Sequence, residues 1–117
     1  MKILIVDDDP GNRVIARRML ERHGGVEAMH IVDSGAACLE TAAKVLFDTI
    51  LLDISMPGMS GDDVCREIKR TPGGPRVVAF TAHVMPDEIE SIMAAGFDGL
   101  VTKPFTQDQL LGSLWGD

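Results

Sequence analysis

Four short apolar runs in this chain are continuous rather than alternating in hydrophobicity, and each ends in a polar or charged residue. They are KILIVD (2–7), TILLD (49–53), RVVAFT (76–81) and DGLVTK (98–103). Continuous runs of this length are typical of strands that are covered on both faces, as in the centre of a parallel sheet. A fifth run, VEAMHIV (26–32), has mixed polarity and suits a strand nearer the edge of the same sheet.

Segments with helical periodicity alternate with the five predicted strands. They span about 10–23, 35–46, 62–70, 86–96 and 106–115. Five βα repeats in 117 residues are too few for a closed eight-stranded barrel. We therefore predict an α/β fold with an open, doubly wound, five-stranded parallel sheet. The chain length is that of one domain, which we assign to residues 1–117.

The first predicted helix has two faces of different character. Apolar residues share one face: Ile15, Ala16, Met19 and Leu20. The opposite face carries a mostly charged set: Val14, Arg17, Arg18 and Glu21. We expect the first face to pack on the sheet and the second to contact solvent.

Composition restricts both the partners and the compartment. A net charge of −7 and a pI near 4.8 oppose direct binding to nucleic acid. Cys38 and Cys65 form no C-x-x-C pair, so we expect two buried thiols in a reducing compartment. Because no apolar run is long enough to span a bilayer or to act as a signal peptide, we expect a cytoplasmic protein without membrane insertion.

Polar side chains stand where the most apolar strands end. Asp7 ends the run KILIVD and Asp8 follows it, while Asp53 ends TILLD, Thr81 ends RVVAFT and Lys103 ends DGLVTK. Singly, each has an ordinary structural explanation, such as an aspartate that caps the next helix. In a parallel sheet, however, all of these strand ends lie at one edge, where doubly wound folds bind their ligands. The sequence therefore predicts one cleft lined by these residues.

Three carboxylates in one cleft raise each other's pKa unless a cation neutralises them, and no arginine cluster stands nearby in the sequence. Oxygen ligands with open positions for water and a phosphoryl oxygen suit Mg²⁺, with Mn²⁺ as a substitute. With the metal held by Asp8 and Asp53, one Asp53 oxygen remains to attack phosphorus and form an acyl phosphate. We expect the Lys103 ammonium and the Thr81 hydroxyl to donate to the phosphoryl oxygens.

The segments VDDDP, LLDISMPGMSG, FTA (80–82) and VTKPF (101–105) together resemble receiver domains of bacterial two-component response regulators, specifically the single-domain, chemotaxis-regulator-like type. The resemblance covers nearly the whole chain in the family's order. It implies a flavodoxin-like (βα)5 fold with strand order 2-1-3-4-5. It also implies that Asp53 accepts a phosphoryl group from a histidine kinase or a histidine phosphotransfer protein, which changes affinity for a downstream partner.

The same resemblance implies roles for the residues around Asp53. Asp8 would bind Mg²⁺ directly, and Asp7 would bind it through water. Ser55 would offer the metal its backbone carbonyl. Thr81 would be the switch hydroxyl, and Lys103 the cation that contacts the phosphoryl group.

Some positions depart from the family's pattern or add to it. Ser60 replaces the aspartate common in the family's turn. Leu100 stands three residues before Lys103, where many receivers carry an aromatic ring that turns inward on activation, so we expect aliphatic repacking in its place. His83, two residues past Thr81, is a candidate for tuning phosphoryl hydrolysis, with simple surface exposure as the alternative.

Two other functions compete with the phosphoacceptor switch. A phosphohydrolase of the haloacid-dehalogenase type also uses an aspartate nucleophile and Mg²⁺, but it carries a second aspartate where this chain has Ser55. Without that acid/base group we expect no enzymatic turnover beyond slow self-hydrolysis. The third candidate is a receiver-like interaction module that is never phosphorylated, which the complete set of acceptor, acidic pair, Thr81 and Lys103 disfavours.

Overall fold

The computed structural model describes residues 2–23, 26, 28–54, 61–70, 73–81, 86–102 and 109. Its strands are β1 (Lys2–Val6), β2 (Ala28–Val32), β3 (Thr49–Asp53), β4 (Arg76–Thr81) and β5 (Gly99–Thr102). Its helices are α1 (Pro10–His23), α2 (Gly35–Lys44), α3 (Gly61–Lys69) and α4 (Pro86–Ala94). The predicted fifth helix, 106–115, lies outside the described residues apart from residue 109. Within the described ranges, no helix has the length and apolar character needed to cross a membrane.

All five strands run parallel in the order β2-β1-β3-β4-β5, as predicted. β1 therefore lies between β2 and β3, with Ile5 opposite Ile31 on one side and Leu51 on the other. The strand order reverses at β1, so the carboxyl ends of β1 and β3 border the crevice in which such sheets bind ligands. The fold thus places the residues after Val6 and at Asp53 side by side.

The core has two layers because alternate residues of each strand face opposite sides of the sheet. One layer joins the sheet to side chains from α2, α3 and α4: Cys38, Val64, Cys65, Ile68 and Ile92. The other layer joins it to Leu20 of α1 through five fully buried strand residues: Ile3, Ile5, Leu51, Val78 and Phe80. Helices therefore cover both faces, which confirms the doubly wound arrangement.

The predicted faces of α1 agree with the structure where its side chains are described. Leu20 is completely buried, whereas Val14 is 47% exposed. Arg17 and Arg18 are exposed, and the Arg17 guanidinium lies 3.0 Å from Glu21, one turn further along the helix. The side chains of three predicted core positions lie outside the described residues: Ile15, Ala16 and Met19.

The two cysteines are free thiols in the core, as the sequence predicted. Burial raises the pKa of Cys38 to about 12. Burial also raises the pKa of Cys65 to about 11, against the smaller lowering effect of Lys69. Both side chains therefore stay protonated at neutral pH and pack as small hydrophobic groups.

Two helices, α2 and α4, end two residues earlier than the sequence predicted. α2 ends at Lys44 because Val45 adopts an extended backbone (φ −128°, ψ 134°), although its N–H still donates to Thr41 O at 3.0 Å. α4 ends at Ala94, and Gly96 follows with φ at 105°, a left-handed conformation that favours glycine after a helix. In both places the chain turns directly toward the next strand.

Candidate functional site

The chain leaves β1 through three consecutive aspartates, and the backbone holds the first of them in place. Asp7 is completely buried, and its N–H donates to Val32 O at 3.2 Å, which continues the pairing of β1 with β2. Asp7 Oδ1 accepts a hydrogen bond from Asp9 N–H at 2.9 Å. The neighbouring Asp8 side chain is exposed. These bonds fix the Asp7 carboxylate at the carboxyl edge of the sheet.

Asp9 connects this turn to α1. Its Oδ1 accepts a hydrogen bond from Gly11 N–H at 2.8 Å and so satisfies one of the donors left open at the start of the helix. Asp9 is thus the N-cap of α1, and Pro10 is the first residue of the helix. Because the cap fixes the direction in which α1 leaves the sheet, it also fixes the turn that carries Asp7 and Asp8.

Asp53 is the last residue of β3 and is 2% exposed. It pairs in register with Phe80 of β4. The next residue, Ile54, donates its N–H to Phe80 O at 3.2 Å, so the backbone pairing extends one residue past the strand. The backbone on either side of Asp53 in the sequence is therefore hydrogen-bonded, and this holds the residue that carries the carboxylate.

Asp7, Asp8 and Asp53 come together as the sequence predicted. Each offers one carboxylate oxygen, and the three oxygens lie within 4.8 Å of one another. Like charges at this separation repel strongly where burial keeps water away, and two of the three side chains are buried. A set of carboxylate oxygens without histidine or cysteine fits a hard divalent cation such as Mg²⁺. Their convergence is confirmed, and their individual roles stay predictions.

The remaining predicted site residues are described only in part. Thr81 ends β4 and pairs with Thr102 of β5, so the chain reaches Lys103 directly after the strand beside Thr81. The side chain of Thr81 and all of Ser55, His83 and Lys103 lie outside the described residues. Their predicted roles are therefore supported here only by the strand ends that precede them.

Leu100 lies within β5 opposite Ala79 of β4 and is partly buried. Its side chain packs against the core layer that also contains Ala79 and Phe97. Leu100 is thus in contact with the interior two residues before the strand ends at Thr102. This location suits the predicted aliphatic repacking, which itself stays a prediction.

Gly61 is the last residue of the segment LLDISMPGMSG, which contains Asp53. In the structure it is the buried first residue of α3, against Ile54. The contact joins the start of α3 to the residue that directly follows β3, so it depends on how α3 packs on the sheet. The glycine was visible in the sequence, but its partner was not.

Comparison with known sequences gives one family over almost the whole chain. Residues 3–114 match the profile described as response regulator receiver domain. The sensor histidine kinase AruS of Pseudomonas aeruginosa is 37% identical over 97% of this chain, and the matching part is 12% of the kinase. The two-component response regulator ORR41 of Oryza sativa subsp. japonica is 28% identical over 94% of this chain and 88% of its own length. This chain therefore spans a small part of the kinase and most of the regulator.

Solved structures agree with the sheet order and the helical layers. The chemotaxis response regulator CheY4 of Vibrio cholerae superposes with a TM-score of 0.87 and 27% identity, over 98% of this chain and 96% of that one. The receiver domain of the sensor histidine kinase PA1611 from Pseudomonas aeruginosa gives a TM-score of 0.83 and 30% identity, over 99% and 98% of the two chains. That receiver domain was solved with a magnesium ion coordinated in its active-site cleft.

Proposed function

This chain belongs to the response regulator receiver domain family of two-component systems, and we propose that it is a phosphoacceptor switch with Asp53 as the acceptor. The phosphoryl group comes from a phosphohistidine on a histidine kinase or on a histidine phosphotransfer protein. One observation carries the proposal: Asp53 is buried at a strand end, with its carboxylate in a cluster with Asp7 and Asp8.

In the proposed reaction, a carboxylate oxygen of Asp53 attacks the phosphorus of the phosphohistidine. A P–O bond forms while the P–N bond breaks, and the imidazole nitrogen keeps the bonding electron pair and takes a proton from solvent. The product is a mixed anhydride on Asp53. Burial of the Asp53 side chain supports a limited rate of attack by water on this anhydride.

The carboxylate cluster is the proposed metal site. Asp8 and Asp53 would bind Mg²⁺ directly, Asp7 through a water molecule, and Ser55 through its backbone carbonyl. When bound, Mg²⁺ supplies positive charge that offsets both the carboxylates and the incoming phosphoryl oxygens. Because Asp8 is exposed, the ion can approach it from solvent. The hydrogen bond from Asp9 N–H holds the buried Asp7 carboxylate in place. Mn²⁺ would substitute because it prefers similar oxygen ligands.

Two further groups act on the phosphoryl oxygens in this proposal. The Lys103 ammonium and the Thr81 hydroxyl donate hydrogen bonds to the sides that face away from the metal. The adjacent ends of β4 and β5 support this assignment, since they bring both residues to the same edge of the sheet. His83 would tune hydrolysis of the anhydride, and Leu100 would repack as Thr81 moves.

The proposed output is a change in affinity for a downstream protein rather than turnover of a substrate. We propose slow self-hydrolysis of the acyl phosphate as its own chemical activity. A net charge of −7 disfavours nucleic acid as the partner. Two free buried thiols suit a reducing compartment, which supports the cytoplasm as the place of action.

The proposal is tested by intact-mass measurement after incubation with acetyl phosphate, with and without Mg²⁺. We expect a gain of one phosphoryl group that requires Mg²⁺ and is absent in Asp53→Asn. Asp33→Asn is the matched control because Asp33 is exposed just after β2, at the same sheet edge but outside the carboxylate cluster. Unchanged incorporation in Asp53→Asn would refute the assignment of the acceptor.

A further inference from the structure

Gly61, the first residue of α3, approaches Ile54 so closely that no side chain fits between them. A Cβ atom added to Gly61 would lie 2.5 Å from Ile54 Cα, 2.8 Å from its Cγ2 and 2.9 Å from its Cβ. Carbon atoms that are not bonded to each other prefer separations of about 3.5–4.0 Å. The position therefore accepts glycine, and any larger residue requires backbone movement.

Other glycines in the described part of the chain are less confined. A Cβ at Gly96 would meet the flexible side chain of Lys69 at 3.5 Å, and one at Gly11 would meet a side-chain oxygen at 3.3 Å. At Gly73 there is no atom within 4 Å. Of these four positions, only Gly61 has the backbone of another segment in the space that a Cβ would occupy.

Both sides of this contact are anchored. Ile54 directly follows Asp53, and its N–H donates to Phe80 O at 3.2 Å. α3 is held on the sheet by three buried side chains: Val64, Cys65 and Ile68. Because consecutive Cα atoms are about 3.8 Å apart, a shift of Ile54 moves the backbone of Asp53 as well.

We propose that Gly61 is a positioning residue for the phosphoacceptor. Its missing side chain lets the start of α3 rest directly on Ile54, and this contact fixes Asp53 relative to Asp7 and Asp8. Gly61 touches no reacting atom and acts through Ile54 alone. The inference rests on the proposed role of Asp53 as the acceptor, and it adds what holds that carboxylate in position.

The test compares Gly61→Ala with Gly96→Ala. Gly96 is a matched control because its φ of +105° makes alanine unfavourable there as well. It follows α4, far along the chain from the acceptor, so its replacement should not move Asp53. Three quantities are measured for each variant and for the wild type. They are the urea midpoint, the ¹³C resonance of the Asp53 side-chain carboxyl during Mg²⁺ titration, and the phosphorylation rate with acetyl phosphate at saturating Mg²⁺.

We expect Gly61→Ala to shift the Asp53 carboxyl resonance in the metal-free protein and to weaken Mg²⁺ binding. We also expect it to slow phosphorylation at saturating Mg²⁺ by roughly tenfold or more, since small misplacements of reacting groups have large effects on rate. Gly96→Ala should lose stability but keep the wild-type resonance, metal affinity and rate. Wild-type values of the Asp53 resonance, the Mg²⁺ affinity and the phosphorylation rate in Gly61→Ala would overturn the proposal.

A second variant covers the case in which Gly61→Ala does not fold. Ile54→Ala removes Cγ2, one of the two side-chain atoms of Ile54 in the contact, and leaves Gly61 unchanged. We expect changes in the same direction but of smaller size, and wild-type values in a folded Ile54→Ala protein would overturn the proposal. If wild-type protein takes up no phosphoryl group, the proposed function fails, whereas the Asp53 resonance still decides whether Gly61 positions that carboxylate.

Discussion

Lys69 forms an ion pair with Asp98, with 2.5 Å between Lys69 Nζ and Asp98 Oδ2. Lys69 is the last residue of α3, and Asp98 directly precedes β5. The same carboxylate oxygen accepts a hydrogen bond from Val77 N–H at 2.8 Å. Lys69 Nζ also donates to Pro75 O at 3.2 Å. These bonds tie α3, β4 and β5 together at the edge of the sheet opposite the aspartate cluster.

This arrangement predicts a pH-dependent contribution to stability. Burial alone raises the pKa of Asp98, but hydrogen bonds from Lys69 and from Val77 N–H outweigh it and hold the pKa below 3.8, its ordinary value. A carboxylate with a lowered folded pKa stabilises the fold above its unfolded pKa, and this contribution is lost as the pH falls through the folded pKa. We expect Asp98→Asn to lower the free energy of unfolding by about 1 kcal/mol at pH 7, because the pair is only partly buried.

Urea unfolding of wild type and Asp98→Asn near pH 7 and near pH 3 measures this difference. The difference in unfolding free energy between wild type and Asp98→Asn should be smaller at the lower pH. Asp63→Asn is the control, because Asp63 pairs with Arg66 on the surface at 3.3 Å with most of both side chains exposed. A loss in Asp98→Asn that is the same at both pH values would contradict the ionic explanation.

Removal of Asp8 should separate metal binding from folding. We expect Asp8→Ala to nearly abolish Mg²⁺ binding and phosphorylation. The metal-free variant should be as stable as wild type, or more stable by up to about 1 kcal/mol, because one of three repelling carboxylates is gone. Thermal unfolding in EDTA and calorimetric Mg²⁺ titration test both parts, with Asp33→Ala as the control. Clear destabilisation of metal-free Asp8→Ala would show that the acidic pair is structural.

The sequence predicted the strands well because each central strand is a continuous apolar run between polar ends, whereas the order of the strands was implied by the family resemblance. It predicted the convergence of Asp7 and Asp53 for the same reason, since parallel strands place their carboxyl ends at one edge. It did not predict that α2 ends at Lys44, because Val45 is apolar and continues the helical pattern.

Contacts between distant segments could not be predicted from local sequence patterns. Lys69 and Asp98 are far apart in the sequence, and neither belongs to a pattern that indicates the other. The approach of Gly61 to Ile54 depends on the seating of α3, which follows from the packing of its whole buried face. Local periodicity predicts that a helix packs, but not which backbone atoms meet at its first turn.

We expect the solvent-facing side of α1 to be the docking surface for the phosphodonor. Val14 is 47% exposed, and Arg17 and Arg18 are exposed on the same helix, which begins directly after the acidic turn. We expect Val14→Asp to slow transfer from the cognate histidine protein by roughly tenfold, as for the loss of an interface anchor. Transfer from acetyl phosphate should be unchanged.

The control for this prediction is Leu46→Asp. It introduces the same charge at an apolar residue that is 89% exposed, in the segment between α2 and β3 rather than on α1. Leu46→Asp should leave both transfer rates unchanged. Equal losses with both donors in Val14→Asp would point to damage at the acceptor site rather than to docking.

Activation should repack aliphatic side chains around Leu100. We expect the Thr81 hydroxyl to move toward the phosphoryl group and to leave space, which Leu100, partly buried in the neighbouring strand, would fill by changing rotamer. Addition of an acyl-phosphate mimic should shift the methyl resonances of Leu100 and Val101 and the amides of residues 82–108, while the Leu46 methyl signals stay fixed. If only the signals of Asp53 and Thr81 respond, the conformational change does not reach the side chains around Leu100.

The central claim is that Asp53 carries the phosphoryl group, and chemical mapping of the acyl phosphate tests it directly. Borohydride reduces an aspartyl phosphate to homoserine, which peptide mass spectrometry then locates in the chain. After incubation with acetyl phosphate and Mg²⁺, we expect homoserine at position 53 alone, and none when Mg²⁺ is omitted. Homoserine at position 7 or 8, or none at position 53 in protein that has gained a phosphoryl group, would contradict the account.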